Sequence, residues 1–311
     1  MSERAAVHVP VMVEEVMAAL APRIGGIYVD CTFGRGGHTR ELLSRVGATG
    51  RVLALDRDPQ AVAVGQAIAM TDTRLTMERS AFSELSRVTK AAGVFGQVDG
   101  VLLDLGVSSP QLADPRRGFG FSTNGPLDMR MDPDQGESAS AWLRRASERQ
   151  ITAVLWEYGE ERFARRIARA IVKARAETPL DTTGRLAEVV AKAVPAWPRD
   201  RHPATRTFQA VRIFINAELD ELKAALVQAP EVLAGRGRLV VISFHSLEDR
   251  IVKRFFRDAS RSQLSAAPRN RCSPQPPCLT RLGKLVRPSV REVASNPRAR
   301  SARLRAVEKC A

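Results

Sequence analysis

In the first third of the chain, apolar residues come in short runs, and most runs lead into a stretch whose apolar positions recur at helical spacing. Ile27-Tyr28-Val29-Asp30-Cys31-Thr32 reads as a buried strand that leads straight into Phe33-Gly34-Arg35-Gly36-Gly37-His38. An amphipathic helix is predicted over about residues 39–46, broken by Gly47 and Gly50. Residues 51–56 form a second strand, after which Asp58 caps a helix with Pro59 at its first position. Residues 75–78 give a short third strand and residues 98–105 a fourth. Strands alternating with helices imply a parallel sheet with both faces covered.

From about residue 111 to 206 no convincing strand appears. Gly, Pro and Asp crowd residues 113–137, which read as a loop. Helical patterns follow: Ser147-Glu148-Arg149-Gln150 has the form of a capping box. Residues 160–176 place Phe163, Ala164, Ile167, Ala168 and Ile171 on one face, and a further helix opens at Thr182 or Thr183 and ends at Pro195. The earlier rhythm then returns, with one long helix over residues 208–227, a strand over 238–244 and a helix capped from Ser246. The predicted architecture is α/β, a doubly wound and mostly parallel sheet with an inserted helical domain. Residues 1–110 and 207–311 make the sheet domain, with a basic tail from about residue 260, and residues 111–206 make the insertion.

The bulk properties narrow the partners more than the chemistry. Hydrophobic residues are 44% and charged residues 26% of 311, ordinary for a soluble globular protein. No apolar run reaches the ~18 residues of a membrane span. The apolar stretch 7–20 is interrupted by His8, Glu14 and Glu15 and is no secretory signal, so a cytoplasmic location is expected. Cys272 and Cys278 have a spacing that fits no common zinc pattern; with Cys31 and Cys310 they are expected to be reduced thiols, and no metal site is expected. The net charge of +14 is uneven: residues 251–311 hold 15 Lys and Arg against Asp258, Glu292 and Glu308, a net +12. Such a tail is the electrostatic footprint of a polyanion, nucleic acid or anionic membrane, unless it is merely a solubilising, disordered segment.

Candidate chemistry gathers after the strands, because ligands of a doubly wound sheet sit outside the carboxyl ends of its strands. The turn Gly34-Arg35-Gly36-Gly37 lets the backbone approach a ligand, although it lacks the third glycine of a dinucleotide fingerprint. Asp56, the last residue of the second strand, is placed to accept hydrogen bonds from a ribose hydroxyl pair. Together they point to a nucleoside-containing cofactor without separating NAD from S-adenosylmethionine. Asp104-Leu105-Gly106-Val107-Ser108-Ser109-Pro110-Gln111 follows the fourth strand and is related to the turn of amino-group methyltransferases. Oxygen acceptors there would hold an exocyclic amine whose lone pair is otherwise delocalised into its ring. His245 opens the helix after the last clear strand, either as a substrate contact or satisfied by backbone. Trp142, Trp156, Tyr158 and Trp197 hold most of the Trp and Tyr, as base-stacking rings or as helical core.

Several of these stretches closely resemble the bacterial family of 16S rRNA cytosine-N4 methyltransferases, ribosomal RNA small-subunit methyltransferase H, also called MraW. They are Asp30-Cys31-Thr32-Phe33-Gly34-Arg35-Gly36-Gly37-His38, Leu55-Asp56-Arg57-Asp58-Pro59, Leu103-Asp104-Leu105-Gly106-Val107-Ser108-Ser109-Pro110-Gln111 and Gly125-Pro126-Leu127-Asp128-Met129-Arg130-Met131-Asp132. Tyr158-Gly159-Glu160-Glu161-Arg162, His202-Pro203-Ala204-Thr205-Arg206 and Ser243-Phe244-His245-Ser246-Leu247-Glu248-Asp249-Arg250 follow in the same order. The resemblance runs from about His8 to Arg300; residues 261–281 match no family motif.

It implies a Rossmann-like class I methyltransferase fold, S-adenosyl-L-methionine as cofactor, and 16S rRNA or the small ribosomal subunit as partner. The activity implied is N4-methylation of a cytidine in the decoding region. Implied cofactor contacts are Gly36, Gly37, His38, Asp56, Phe82, Asp104 and Gln111. Asp104 and Ser109 are the expected catalytic residues, and Trp142 and His245 the expected substrate contacts. A non-catalytic rRNA-binding assembly factor and an NAD-linked oxidoreductase are the alternatives, and a homodimer is left open.

Overall fold

The computed structural model describes residues 10–195, 202–261 and 279–311. His8, Trp197, Cys272, Cys278 and most of segment 261–281 lie outside the described residues. The chain divides into two compact units, residues 1–106 with 219–311 and residues 107–218.

In chain order the elements are α1 (Val13–Leu20), β1 (Ile27–Asp30), α2 (Gly37–Arg45), β2 (Arg51–Asp56), α3 (Pro59–Ala69), β3 (Leu75–Arg79), α4 (Leu85–Ala91) and β4 (Val98–Asp104). The helical unit follows with α5 (Ser109–Ala113), α6 (Ala139–Arg145), α7 (Glu148–Gly159), α8 (Ala164–Glu177), α9 (Thr183–Ala193) and α10 (Thr205–Ile215). Then come α11 (Glu218–Val232), β5 (Leu233–Ser243), α12 (Ser246–Arg261), β6 (Leu279–Arg281), α13 (Val290–Ser295) and β7 (Arg303–Lys309).

The seven strands form one sheet in the order β3-β2-β1-β4-β5-β7-β6. β1 to β5 pair in parallel, and β7 runs antiparallel between β5 and β6. Alternate residues feed opposite faces. Val29, Leu53, Leu55, Val101, Leu103, Leu239 and Val241 pack with Leu85, Leu226 and Phe256 of α4, α11 and α12. Tyr28, Val52, Ala54, Leu102, Val240 and Ile242 pack with Met17, Leu42 and Ala61 of α1, α2 and α3. Burial on both sides explains why these strands read as nearly continuous apolar runs. This is a doubly wound, mostly parallel sheet, as the alternation of strands and helices predicts.

Three departures from the sequence reading have physical causes. The single helix expected over residues 208–227 is two helices, because Ala217 takes a left-handed φ of +49° directly after Asn216 caps α10. Buried Asn216 donates to the carbonyls of Met129 and Arg212 at 2.7 and 2.9 Å, and accepts from the Met131 amide at 2.7 Å. The break moves α10 into the helical unit, where Phe208 and Val211 join its core, so that unit ends at residue 218 rather than 206. The same bonds help to order the Gly- and Pro-rich stretch after residue 113, aided by Arg117, which donates to the Arg130 and Met131 carbonyls at 3.1 and 2.9 Å. β5 begins at Leu233, ahead of Gly235 and Gly237 and of the start expected at residue 238, with a register irregularity where Val98 pairs Leu233 and Gly100 pairs Arg238.

The third departure is the tail. Its last segment is a core strand: Leu304, Ala306 and Val307 of β7 are buried, and Arg303 and Arg305 donate to Asp249 of α12 at 3.0 and 2.7 Å. Cys31 is the free buried thiol expected, but Cys310 is disulfide-bonded. Stopping the chain after Ser301 is expected to abolish cooperative unfolding of the sheet unit. It removes two ladders and the burial of Leu304 and Val307, about 1.5–3 kcal/mol each. A circular dichroism melt unchanged by the truncation would show that β7 adds nothing to the core.

Candidate active site

The site is built by three neighbouring parallel strands. Asp30, the last residue of β1, pairs in register with Ala54 of β2 and Leu102 of β4. Asp56 and Asp104 lie two residues beyond those partners, so by the strand period all three carboxylates emerge on one face at the carboxyl rim. α2 covers that face and starts just beyond the rim, which brings its second residue, His38, among them.

Each carboxylate is met differently. Asp30 is buried and fully engaged: it accepts from the Thr39 hydroxyl at 2.7 Å and the Thr32 amide at 3.1 Å. Burial raises its pKa, against the opposing pull of His38, Thr39 and Thr32. Asp56 accepts from the amides of Gly34 at 2.8 Å and Asp58 at 2.9 Å. The helix-capping role falls to Asp58, which accepts from the Gln60 amide. Burial outweighs the two amides at Asp56 and raises its pKa to about 6. At Asp104 the backbone amide is anchored on the Thr32 hydroxyl at 2.7 Å, and Oδ2 lies 3.5 Å from His38 Nε2. Burial disfavours the His38 imidazolium, but Asp104, with Asp30 and Glu292 behind it, more than offsets this and holds the His38 pKa above its ordinary value.

The turn between β1 and α2 has room only for hydrogen at two positions. Gly36 has φ +75°, and a Cβ there would stand 2.7 Å from the Phe33 ring; a Cβ on Gly37 would stand 2.7 Å from Pro10. Among the described residues, both ring nitrogens of His38 and Oδ1 of Asp104 are buried without a hydrogen-bond partner. Orphaned polar atoms beside a side-chain-free turn, with a carboxylate at the end of the next strand, fit a polar ligand that carries a ribose.

The remaining expected residues divide. Phe82 opens a short 3-10 turn after β3, and the Arg57 guanidinium lies 5.8 Å from its ring centroid. His245 Nε2 lies 3.0 Å from Glu248 Oε1 at the start of α12. Ser109, Gln111 and Trp142 belong to the helical unit. Ser109 is the first residue of α5, and Gln111 is buried with its side chain accepting from the Ser108 amide in a capping box. Trp142 is buried, with its ring 4.6 Å from that of Phe214, so the stacking role expected of it finds no open ring; among the described residues the exposed tryptophan is Trp156. The sequence reading quoted Asp30, Thr32 and Thr39 or passed over them without a role. A carboxylate closing a strand just before a glycine turn was the available signal.

The model of the MraW methylase family matches residues 5–310. The chain belongs to the MraW methylase family. It is 54% identical over 304 residues to the ribosomal RNA small subunit methyltransferase H of Nitrosococcus oceani, covering 97% of this chain and 96% of that one. To the protein of the same description from Coxiella burnetii it is 54% identical over 302 residues, covering 97% and 98%. Among solved structures it is similar to a SAM-dependent methyltransferase from Aquifex aeolicus at a TM-score of 0.40 and 10% identity, covering 96% and 89%. The chain is a methyltransferase, with S-adenosylmethionine as methyl donor, which closes the NAD-linked and non-catalytic alternatives.

The state of Asp56 gives this methylase a testable pH dependence. Its folded pKa lies above the ordinary Asp value, so protonation of the free site is favoured below about 6. Ribose hydroxyls donate best to the ionised carboxylate. The dissociation constant for S-adenosylhomocysteine is therefore expected to be flat above neutrality and to rise toward a limit of about tenfold per pH unit below 6. Asp56→Asn is expected to bind weakly and to lose that slope. Calorimetric titrations with equal slopes for the two proteins would remove Asp56 from the cofactor contacts.

Proposed function

We propose that the chain methylates N4 of a cytidine in the decoding region of small-subunit ribosomal RNA, in the cytoplasm. The relatives' description supplies the small-subunit RNA, and the motif resemblance supplies the amino acceptor and its location. The observation that carries the chemical part is the Asp104 carboxylate: at the rim of β4, beside His38, with Oδ1 unpartnered among the described residues.

S-adenosylmethionine supplies an electrophilic methyl group on a sulfonium. Asp56 offers its carboxylate to the ribose, and the turn at Gly36 and Gly37 admits the rest of the cofactor against bare backbone. Asp104 accepts a hydrogen bond from the N4 amine, which draws nitrogen lone-pair density out of the ring as the new C–N bond forms and the S–C bond breaks. The nitrogen becomes positive in that step, and the adjacent Asp104 carboxylate stabilises it and takes up its surplus proton, which then passes to solvent water. The anchored Asp104 amide and the Thr32 hydroxyl fix that carboxylate's position. His38, whose pKa Asp104 helps to raise, stands beside that carboxylate with Nε2 3.5 Å from its Oδ2.

Asp104→Ala is expected to fold normally and to lower the methyl-transfer rate by about 10²–10⁴-fold. Ser109→Ala, run beside it, tests whether the first residue of α5 shares the acceptor role. Mass-spectrometric mapping of nucleosides in cells lacking the gene is expected to show one N4-methylcytidine missing from the small subunit. A different missing nucleoside, or full turnover by Asp104→Ala, would overturn the proposal.

A further inference from the structure

The helical unit carries a row of cations that none of the chemistry above employs. Residues 162–176 contain six Lys and Arg and no acid. Arg175 is spent inside the unit, where it donates to the Leu143 and Ala146 carbonyls. Arg162 lies over the Phe163 ring at 4.6 Å. Arg165, Arg166, Arg169 and Lys173 are exposed on α8. The spacing of 165, 169 and 173 is one of four residues, which sets those cations in a line on one face about 6 Å apart along the helix axis.

Other arginines of this unit are paired: Arg130 with Asp128 at 2.7 Å, Arg145 with Glu137 at 2.6 Å and Arg212 with Glu218 at 2.8 Å. Among the described residues Arg165, Arg166 and Lys173 have no ion-pair partner, and Arg169 reaches only Glu148 at 3.7 Å across an exposed gap. The opposite side of α8 is committed, since Ile167, Ala168 and Ile171 are buried in the unit's core.

We propose that the outer face of α8 is a phosphate-tracking surface, on which Arg165, Arg166, Arg169 and Lys173 bind the sugar-phosphate backbone of the RNA. The inference rests on the reading of the chain as an RNA methyltransferase and adds which surface holds the strand. A line of cations with a step of about 6 Å suits a polymer with one negative charge per nucleotide. An anionic membrane fits less well: a helix lying in a bilayer interface needs a free apolar face, and that of α8 is already packed. The row reads no bases, so it contributes affinity and register, and the sheet unit contributes the chemistry.

The test replaces all four residues of the full-length chain with glutamine, a good helix former. Binding is measured against a single-stranded RNA of about 20 nucleotides across a salt series, together with S-adenosylhomocysteine binding and methyl transfer. Loss of four phosphate contacts is expected to reduce the salt slope by about three and to weaken RNA binding by on the order of tenfold or more, with S-adenosylhomocysteine affinity unchanged. The effect on methyl transfer is expected in KM rather than kcat. Restoring charge as Arg165→Lys, Arg166→Lys and Arg169→Lys, with Lys173 native, should recover most of the affinity. An unchanged salt slope would overturn the proposal, as would loss of binding to phosphatidylserine vesicles or to an acidic protein with RNA binding intact. Because the RNA probe need not be a substrate, failure of the rRNA assignment would appear as absent methyl transfer by the wild-type chain, and leave this measurement readable.

Discussion

A carboxylate at the rim of a buried parallel strand is out of water on its sheet side and must be met by donors or give up its charge. Three such groups emerge on the same face here, and they sense one another: Asp104 disfavours ionisation of Asp30, and Asp30 disfavours ionisation of Asp56. Donors are distributed unequally among them. Asp30 takes a hydroxyl and an amide, Asp56 two amides, and Asp104 the flank of one imidazole. The central carboxylate, 1% exposed, is a structural anchor, while Asp104 keeps an unpartnered Oδ1 among the described residues. In the proposed reaction the ribose hydroxyls of the cofactor meet Asp56, and the amine of the RNA, a separate molecule, meets Asp104.

The backbone between β1 and α2 follows from the same constraint. For the Gly34 amide to reach Asp56, the chain must turn sharply just after the strand, and Gly34 and Gly36 take φ values of +56° and +75°. The Phe33 ring and Pro10 then close on the turn, and no Cβ fits at Gly36 or Gly37. The glycines serve the carboxylate geometry first; access for a ligand is a consequence. Glu292 extends the arrangement to the chain's far end, since it accepts from the Met12 amide at 2.7 Å and adds negative potential at His38.

Local pattern made much of this legible. Short, nearly continuous apolar runs gave the strands, Asp58-Pro59 and Ser147-Glu148-Arg149-Gln150 gave helix starts, and the turn with Asp56 gave the expectation of a nucleoside cofactor. What escaped depends on distant partners. Asn216 breaks a helix because Met129 and Met131 need a donor and an acceptor, and those residues lie more than 80 positions away in the chain. β7 looked like a basic tail because its arginines are balanced by Asp249, over 50 residues upstream. Trp142 was a candidate stacking ring by residue type alone; Phe214, which covers it, is equally remote in sequence.

Charge shows the same limit. Counting puts most of the excess in residues 251–311, yet Arg303 and Arg305 converge on one carboxylate, whose pKa falls because the two guanidinium groups outweigh its burial. Arg238 and Glu308 pair at 3.0 Å across β5 and β7. Those charges hold the antiparallel edge of the sheet and are unavailable to a polyanion. The cations of α8 sit in a segment without acids, on a helix whose other face is already packed, so the core gains nothing from their sign. A cation's partner is decided by whether a carboxylate lies within reach on the folded surface, and net charge along the sequence cannot report that. The segment richest in positive charge by count is therefore partly scaffold, whereas Arg165, Arg166 and Lys173 of α8 are exposed without an ion-pair partner among the described residues.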